Sequence, residues 1–269
     1  MMRRSGCVRP VGRAAFRTAL LGLAAIALVV AAGCGSDEAG DTILTIDQAL
    51  TAASGQAIKV QGSLVATESD VRLASALRES YPPQAGGSTL AVEDLDLDAL
   101  VGLSSTADQP ELAQVTWSDF PVVLEGTIKE GVLKVKNTPP VVEVGTAEVK
   151  VRFSPASEPL MVGNTVWWVF DVTNLTGAAL DLTFPTGQMG EIVFSRDGVE
   201  QYRWSDGKQF LQSVTVDTLQ PGRSRAIVLN DRPSLAPGTY DVTATVKAST
   251  GPEGSATPLP EIQTIVTVR

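Results

Sequence analysis

Histidine is absent from this sequence of 269 residues, and cysteine occurs only twice, at Cys7 and Cys34. Without histidine the chain lacks the base of Ser-His-Asp and Cys-His nucleophile systems, the usual zinc ligand, and the side chain whose unperturbed pKa lies near neutrality. Carboxylate-pair hydrolysis needs no histidine, but no pattern in the sequence places two acids about 5 to 10 Å apart across a cleft. We therefore predict a protein that is not an enzyme and that uses no cofactor and no metal.

Basic residues are scarce outside the N-terminal segment. Of 21 Lys and Arg residues, five lie in the first 33 positions, which leaves 16 against 30 Asp and Glu and a net charge of −14. Binding to nucleic acid requires a basic stripe that displaces condensed counterions. The remainder has no such stripe, so we exclude nucleic acid as a partner and expect membrane contact only through an attached lipid.

Long apolar runs are also absent, apart from residues 18–32. Five arginines and no acidic residue precede this run, a pattern typical of a secretory signal. Its length of about 15 residues is below the roughly 20 that a membrane span needs. The alternative is an uncleaved membrane anchor, in which Cys34 after the run has no special role. With either a cleaved signal or an uncleaved anchor, we expect the rest of the chain to lie outside the cytoplasm.

The run closes on Ala31-Ala32-Gly33-Cys34, which resembles a bacterial lipobox. The resemblance implies that residues 1–33 are a lipoprotein signal peptide, and that Cys34 is acylated and becomes the new N-terminus. Residues 34–42 would then be a polar tether to the outer face of the cytoplasmic membrane, or to the periplasm or cell surface. Cys7 would leave with the signal, so no disulfide could form.

The first folded region is predicted to span residues 43–137. Thr45 and Gln48 form the pattern of a capping box that opens a short helix, and residues 71–80 suggest a second helical turn or short helix. Strands are expected from Ile58 and over 89–92, and Glu130-Gly131 predicts a hairpin turn. A five-stranded barrel of the OB type, with short helices, agrees best with this pattern.

Proline marks the predicted boundary at 138–147, because Pro139 and Pro140 cannot donate hydrogen bonds into a sheet. Residues 148–269 then show short apolar or alternating segments separated by turn signals about every ten residues, the spacing of a β-sandwich. The fold class is therefore all-β, a barrel followed by an immunoglobulin-like sandwich.

From about Met161 to Ser249 the chain resembles the BsuPI family, named for a bacillus inhibitor of an intracellular serine proteinase. The matching motifs are Asn174-Leu175-Thr176-Gly177, Leu182-Thr183-Phe184-Pro185-Thr186-Gly187-Gln188, Tyr202-Arg203-Trp204-Ser205-Asp206-Gly207-Lys208 with Phe210, Leu219-Gln220-Pro221-Gly222 and Pro237-Gly238-Thr239-Tyr240. The resemblance implies an immunoglobulin-like sandwich. Residues 46–135 also resemble the OB-like domain that accompanies such sandwiches in some bacterial lipoproteins.

Two loops of the sandwich are the candidate partner-binding residues. They comprise Pro185, Thr186, Gly187, Gln188 and Met189 in one loop, and Trp204, Ser205, Asp206, Gly207 and Lys208 in the other. An aromatic ring beside a charged turn can anchor a partner. The alternative is structural: Trp204 would end one strand, Phe210 would begin the next, and both rings would fill the core.

Two further features have competing interpretations. Asp94, Asp96 and Asp98 would share one face of an extended segment as calcium ligands could, but alternation with apolar residues favours a solvated face. Trp167 and Trp168 are adjacent in a strand, so one ring must point away from the sandwich core. We expect that outer ring to lie under a covering loop or against the first domain, with a partner surface as the alternative.

These observations predict a non-enzymatic, lipid-anchored, exported protein that binds another protein through its BsuPI-like domain, with an exported serine proteinase as the candidate partner. Two alternatives belong to other classes. The two domains could be envelope spacers without a dedicated ligand, or the OB-like domain could bind glycans or peptides. Scarce aromatic residues in that domain, chiefly Tyr81, Trp117 and Phe120, argue against stacking on sugars.

Overall fold

The computed structural model describes residues 42–156, 159–251 and 255–269. The predicted signal peptide, Cys34 and all of the tether except Thr42 lie outside the described residues. Among the described residues, no helix combines the length and apolar character that a membrane span requires.

The N-terminal region is built from a short helix, a 3₁₀ turn and eight strands. The helix α1 covers Ile46–Leu50 and the 3₁₀ turn Leu97–Ala99. The strands are β1 (Ile43–Leu44), β2 (Ala57–Thr67), β3 (Val71–Arg78), β4 (Gln84–Glu93), β5 (Ser104–Ser105), β6 (Val115–Trp117), β7 (Val122–Lys129) and β8 (Val132–Asn137).

Local sequence signals act here as predicted. The capping box is present, because the Thr45 side chain accepts a hydrogen bond from the Gln48 backbone and the Gln48 side chain accepts one from the Thr45 backbone. Glu130 and Gly131 both have positive φ, 53° and 79°, and close the tight hairpin between β7 and β8.

Five strands close into a ring. β2 pairs with β3, β3 with β4, β4 with β8, β8 with β7, and β7 returns to β2. Every pairing in the ring is antiparallel except that of β4 with β8, which is parallel. Buried aliphatic side chains such as Leu64, Leu73, Leu90, Leu124 and Leu133 form the core of the ring, each with no exposed surface.

The short helix predicted at residues 71–80 is wrong: Val71–Arg78 is strand β3. Its Leu, Ala and Arg content suits a helix, and apolar residues recur at helical spacing. However, β3 pairs on one side with β2 and on the other with β4, so tertiary hydrogen bonding overrides a weak local preference.

In the C-terminal region the described residues form strands and no helix, as predicted. Its strands are β9 (Val142–Gly145), β10 (Val149–Pro155), β11 (Val166–Asn174), β12 (Leu180–Phe184), β13 (Gly190–Arg196), β14 (Val199–Arg203), β15 (Thr215–Leu219), β16 (Ser224–Asp231), β17 (Gly238–Val246), β18 (Ser249–Thr250), β19 (Thr257–Pro258) and β20 (Ile262–Val268). They form three four-stranded sheets with the orders β16-β11-β10-β9, β15-β12-β18-β19 and β14-β13-β17-β20.

All three sheets contribute to one sandwich core. Trp168 of β11 lies 6.2 Å, between ring centroids, from Phe194 of β13, and the Phe153 and Phe170 rings are 5.0 Å apart. The all-β prediction is thus confirmed.

The two adjacent tryptophans divide between two cores. Trp168 is buried in the sandwich, whereas Trp167 points the other way and packs with Val169 against the core cluster of the N-terminal ring. The outer ring of the pair therefore lies against the first region, one of the two positions expected from the sequence.

The contact between ring and sandwich is close. Gly102 lies so near β11 that a Cβ atom there would be 2.4 Å from Val169 Cγ1. Arg152 Nη2 donates to the carbonyl of Asp98 at 2.6 Å, and the described residues fall in one compact unit. Strand β9 lies within the predicted linker 138–147 and pairs with β10 of the sandwich. The division of the chain into two domains stays a prediction.

Candidate functional site

The two predicted loops lie side by side. Gly187 N donates to the carbonyl oxygen of Leu211 at 2.8 Å, which joins the β12–β13 loop to the chain that follows β14. We call residues 185–189 and 204–214 the loop pair. Of the ten predicted residues, Trp204 is buried and Thr186, Gln188, Met189, Ser205 and Lys208 are half-buried, while Pro185, Gly187, Asp206 and Gly207 are exposed.

Glu191, near the start of β13, accepts hydrogen bonds from both loops. The residue is almost fully buried, at 4% exposure. One carboxylate oxygen accepts from Ser205 N at 3.1 Å; the other accepts from Ser205 Oγ at 2.6 Å and from Gln188 Nε2 at 3.0 Å. Arg203 Nη1 lies 3.6 Å from the latter oxygen and balances the buried charge.

Trp204 anchors the second loop to the sandwich. It joins the sandwich core, and its Nε1 donates to the carbonyl oxygen of Asn230 at 3.1 Å. The Phe210 ring packs on it with centroids 5.7 Å apart, and Lys208 Nζ lies 4.9 Å from the centroid of the Trp204 ring. The indole thus faces the protein more than the solvent.

Lys208 and Tyr202 converge on one carboxylate. Asp231 Oδ2 accepts from Lys208 Nζ at 2.5 Å and from Tyr202 Oη at 2.8 Å. Burial alone would raise the pKa of Asp231, but the hydrogen bonds from Lys208, the Arg232 backbone and Tyr202 outweigh it, so the pKa lies below its ordinary value. Burial, followed by the bond to Asp231, raises the pKa of Tyr202 far above its ordinary value, which keeps the phenol protonated as a donor.

Phe210 does not begin a strand, contrary to the sequence interpretation. Strand β14 ends at Arg203 and the next strand, β15, begins at Thr215. Residues 204–207 form turns, and residues 208–214 continue as an irregular segment. The reason is that Phe210 packs on Trp204 and Leu211 bonds to Gly187, so this part of the chain follows the loop instead of a sheet ladder.

Sequence reasoning missed several residues of this site. Glu191 and Asp231 were not singled out, since an acidic residue in or beside a strand gives no signal of the partners that fold against it. The exposed apolar residues Leu211 (79%), Val214 (65%) and Val216 (52%) were also missed. The sequence did contain a signal for them, because these apolar residues lie between two predicted strands in a segment to which no strand was assigned.

A separate cleft of about 410 Å³ lies on the N-terminal ring. Arg72 and Arg78 of β3 line it, with Val65 and Val115 among its apolar residues. Arg72 is paired with Asp70, whereas no partner of the Arg78 guanidinium occurs among the described residues. Tyr81 is 62% exposed and packs edge-on against Trp117, and Phe120 is buried.

The acidic segment is arranged as a capped turn. Asp96 Oδ1 accepts from Asp98 N at 3.0 Å and caps the 3₁₀ turn, and the Asp98 carbonyl binds Arg152. In the described part of the chain, no group of three or more acidic or thiol side chains is placed to hold a metal ion.

Comparison with known proteins adds one family match. Residues 151–251, less than half of the chain, match the family model described as BsuPI, intracellular proteinase inhibitor. The whole loop pair falls within the matched residues. No curated protein matches the sequence.

Solved structures resemble the chain only distantly. The CARDB domain of a Pyrococcus furiosus protein, solved in complex with di-metal ions, is 16% identical over 48% of this chain and 95% of its own, with a TM-score of 0.28. The C-terminal domain of Wzt is 16% identical over 49% and 79%, with a TM-score of 0.32. The sporulation control protein Spo0M from Bacillus subtilis is 14% identical over 46% and 50%, with a TM-score of 0.29.

Proposed function

We propose that this chain is an exported, membrane-anchored protein whose C-terminal sandwich binds a serine proteinase and blocks its active site through the loop pair. One observation carries the proposal. The two loops predicted from the sequence are joined by hydrogen bonds to the buried carboxylate of Glu191, and both loops lie inside the residues that match a proteinase inhibitor family.

The structure of the loop pair suits this role. An inhibitor gains affinity when its contact loop is already in the bound conformation, because less conformational entropy is lost on binding. Glu191 fixes Ser205 and Gln188, and Asp231 fixes Lys208. The loop pair therefore meets a partner as a rigid surface, with Pro185, Asp206 and Gly207 exposed at its tips.

The test is inhibition of purified proteinases. The full chain, purified in mild detergent, is added at micromolar concentration to a panel of secreted subtilisin-like serine proteinases, and hydrolysis of a peptide substrate is followed. We expect at least one enzyme to be slowed with a stoichiometric end point. If none is slowed, the inhibitor function is overturned. If the chain can be chemically cross-linked to a proteinase that keeps its full hydrolytic activity, the chain binds the enzyme but does not inhibit it.

The anchor is a separate part of the proposal. An N-terminal arginine cluster, an apolar run and the sequence Ala31-Ala32-Gly33-Cys34 support lipidation at Cys34 and exposure outside the cytoplasm. Growth of cells with a labelled fatty acid tests it directly. We expect label and membrane association in the natural chain and neither in Cys34→Ala; a soluble, unlabelled natural chain would contradict the anchor.

A second candidate function concerns the N-terminal ring, which we propose to be an OB-type barrel. The strand order β2-β3-β4-β8-β7 with one parallel pairing supports that type. The cleft favours an acidic glycan or peptide as its ligand through Arg78, whose guanidinium has no partner among the described residues, whereas Arg72 is paired with Asp70, which also lines the cleft. Calorimetric titration with acidic oligosaccharides and acidic peptides tests this function. Equal heats for the natural chain and Arg78→Ala would count against it.

A further inference from the structure

Within the loop pair, the geometry points to residues 211–214, which the sequence did not mark, as the segment that enters the active-site cleft of the proteinase. Val214 fills its primary specificity pocket and Leu211 fills a second apolar subsite. The inference rests on the proposed inhibitor function and specifies which residues perform it.

The first argument is exposure. Leu211 and Val214 are 79% and 65% exposed, and Val216 on the adjoining strand is 52% exposed. Three large aliphatic side chains thus face solvent within six residues, and clustered exposed apolar side chains are a mark of interaction sites.

The second argument is the state of the backbone. Residues 208–214 belong to neither helix nor strand, and residues 212–214 make no backbone hydrogen bond to the described part of the chain. One recurring way in which a peptide enters a protein cleft is as an added strand, with its N–H and C=O groups pairing to the receptor backbone. Residues 212–214 offer just such unpaired groups.

The third argument is that both ends of the segment are fixed. At one end Gly187 N binds the Leu211 carbonyl and the Phe210 ring packs on Trp204. At the other end Thr215 pairs with Phe184 as β15 begins. Only three residues lie between these anchors, so the segment loses little freedom when it binds.

The Leu211 bond also determines the register in the cleft. The carbonyl oxygen next to the attacked bond must point into the oxyanion hole of a serine proteinase. The Leu211 carbonyl already accepts from Gly187 N at 2.8 Å, so the free carbonyl must belong to residues 212–214. Val214 is the one apolar residue of those three, which places it in the primary pocket and Leu211 three residues before it.

The experiment measures inhibition constants for variants of the full chain against the enzyme that the natural chain inhibits. We expect Val214→Ala and Leu211→Ala each to weaken inhibition at least tenfold. Val199→Ala is the matched control, because Val199 is also a 60% exposed valine but lies in the β13–β14 hairpin. Its inhibition constant should equal that of the natural chain.

A second variant tests the register by a gain of function. Val214→Lys should inhibit trypsin, which accepts a basic side chain in its primary pocket, whereas the natural chain should not. Urea denaturation confirms that the variants remain folded, as expected for exposed positions.

The outcomes separate the two proposals. Inhibition by the natural chain that neither Leu211→Ala nor Val214→Ala weakens would overturn the inference and leave the inhibitor function standing. Absence of inhibition by the natural chain would overturn both.

Discussion

The buried carboxylate of Glu191 accepts a 2.6 Å hydrogen bond from the hydroxyl of Ser205, fourteen residues further along the chain. Through the same oxygen Glu191 also binds Gln188. One side chain on a core strand thereby helps to set the relative position of two loops that are also joined by the bond between Gly187 and Leu211. The shape of the candidate contact surface depends on this residue, which does not itself face a partner.

Glu191→Ala should destabilise the chain by about 1 to 3 kcal/mol, because the donors on Ser205 and Gln188 would be left without their acceptor. The free energy of unfolding in urea measures the change. Glu200→Ala is the matched control, since Glu200 is an exposed acid of the same sheet paired with Arg203. It should cost no more than about 1 kcal/mol; equal losses in both variants would contradict the bridging role of Glu191.

Acid should weaken the sandwich partly through Asp231. Its pKa in the folded chain lies below the ordinary value of 3.8, so its ionised form stabilises the fold above that pH. The stabilisation is lost as pH falls through the folded pKa. Asp231→Asn cannot titrate, so its unfolding free energy should fall less than that of the natural chain between pH 5 and pH 2.5. Parallel curves for the two proteins would show that Asp231 contributes nothing.

Gly102→Ala should loosen the junction between ring and sandwich. The added Cβ would lie 2.4 Å from Val169 Cγ1, and Gly102 also has φ +73°. Gly131→Ala separates the two effects, because Gly131 has a similar φ of +79° with open space around it. Thermal unfolding should show a larger loss for Gly102→Ala, and Val169→Ala in the same chain should restore part of it. Equal melting temperatures for the two glycine variants would refute the collision.

Asn174→Ala should lower the melting temperature by several degrees. The fully buried Asn174 amide donates to the carbonyls of Ala178 (2.7 Å) and Leu219 (2.9 Å), and its oxygen accepts from Thr176 N. A loss of about 1 to 3 kcal/mol follows when these groups are left unpaired in the interior. Asn164→Ala, at an exposed position, serves as the control and should leave the melting temperature unchanged. An unchanged melting temperature for Asn174→Ala would contradict the structural role of Asn174.

Much of the fold could be predicted where local signals and burial agree. The Thr45 capping box and the Glu130-Gly131 turn depend on residues within four positions, so the sequence contains all the information needed. Strand β11, which is apolar along most of its length, is buried on both sides, because Trp168 faces the sandwich and Trp167 the ring. Strand β3 was mispredicted because its partners β2 and β4 lie elsewhere in the chain.

The candidate site was predicted only in part. Turn chemistry and family motifs located residues 185–189 and 204–208, and the structure places these two loops side by side. Their depth was not predictable: Trp204 is buried, while Leu211, which no motif marked, is among the most exposed apolar residues described. Burial depends on what packs above a residue, and that is a property of the assembled sheets.

By itself the sequence determined the absence of imidazole chemistry, the all-β class, and the turns at which strands reverse, because composition and short-range geometry suffice for each. Only the tertiary structure decided that β3 is a strand, that Glu191 joins two loops, and that residues 211–214 face solvent. Each of these depends on hydrogen bonds or packing between residues distant in sequence, whose free energy exceeds the weak preferences of any local segment.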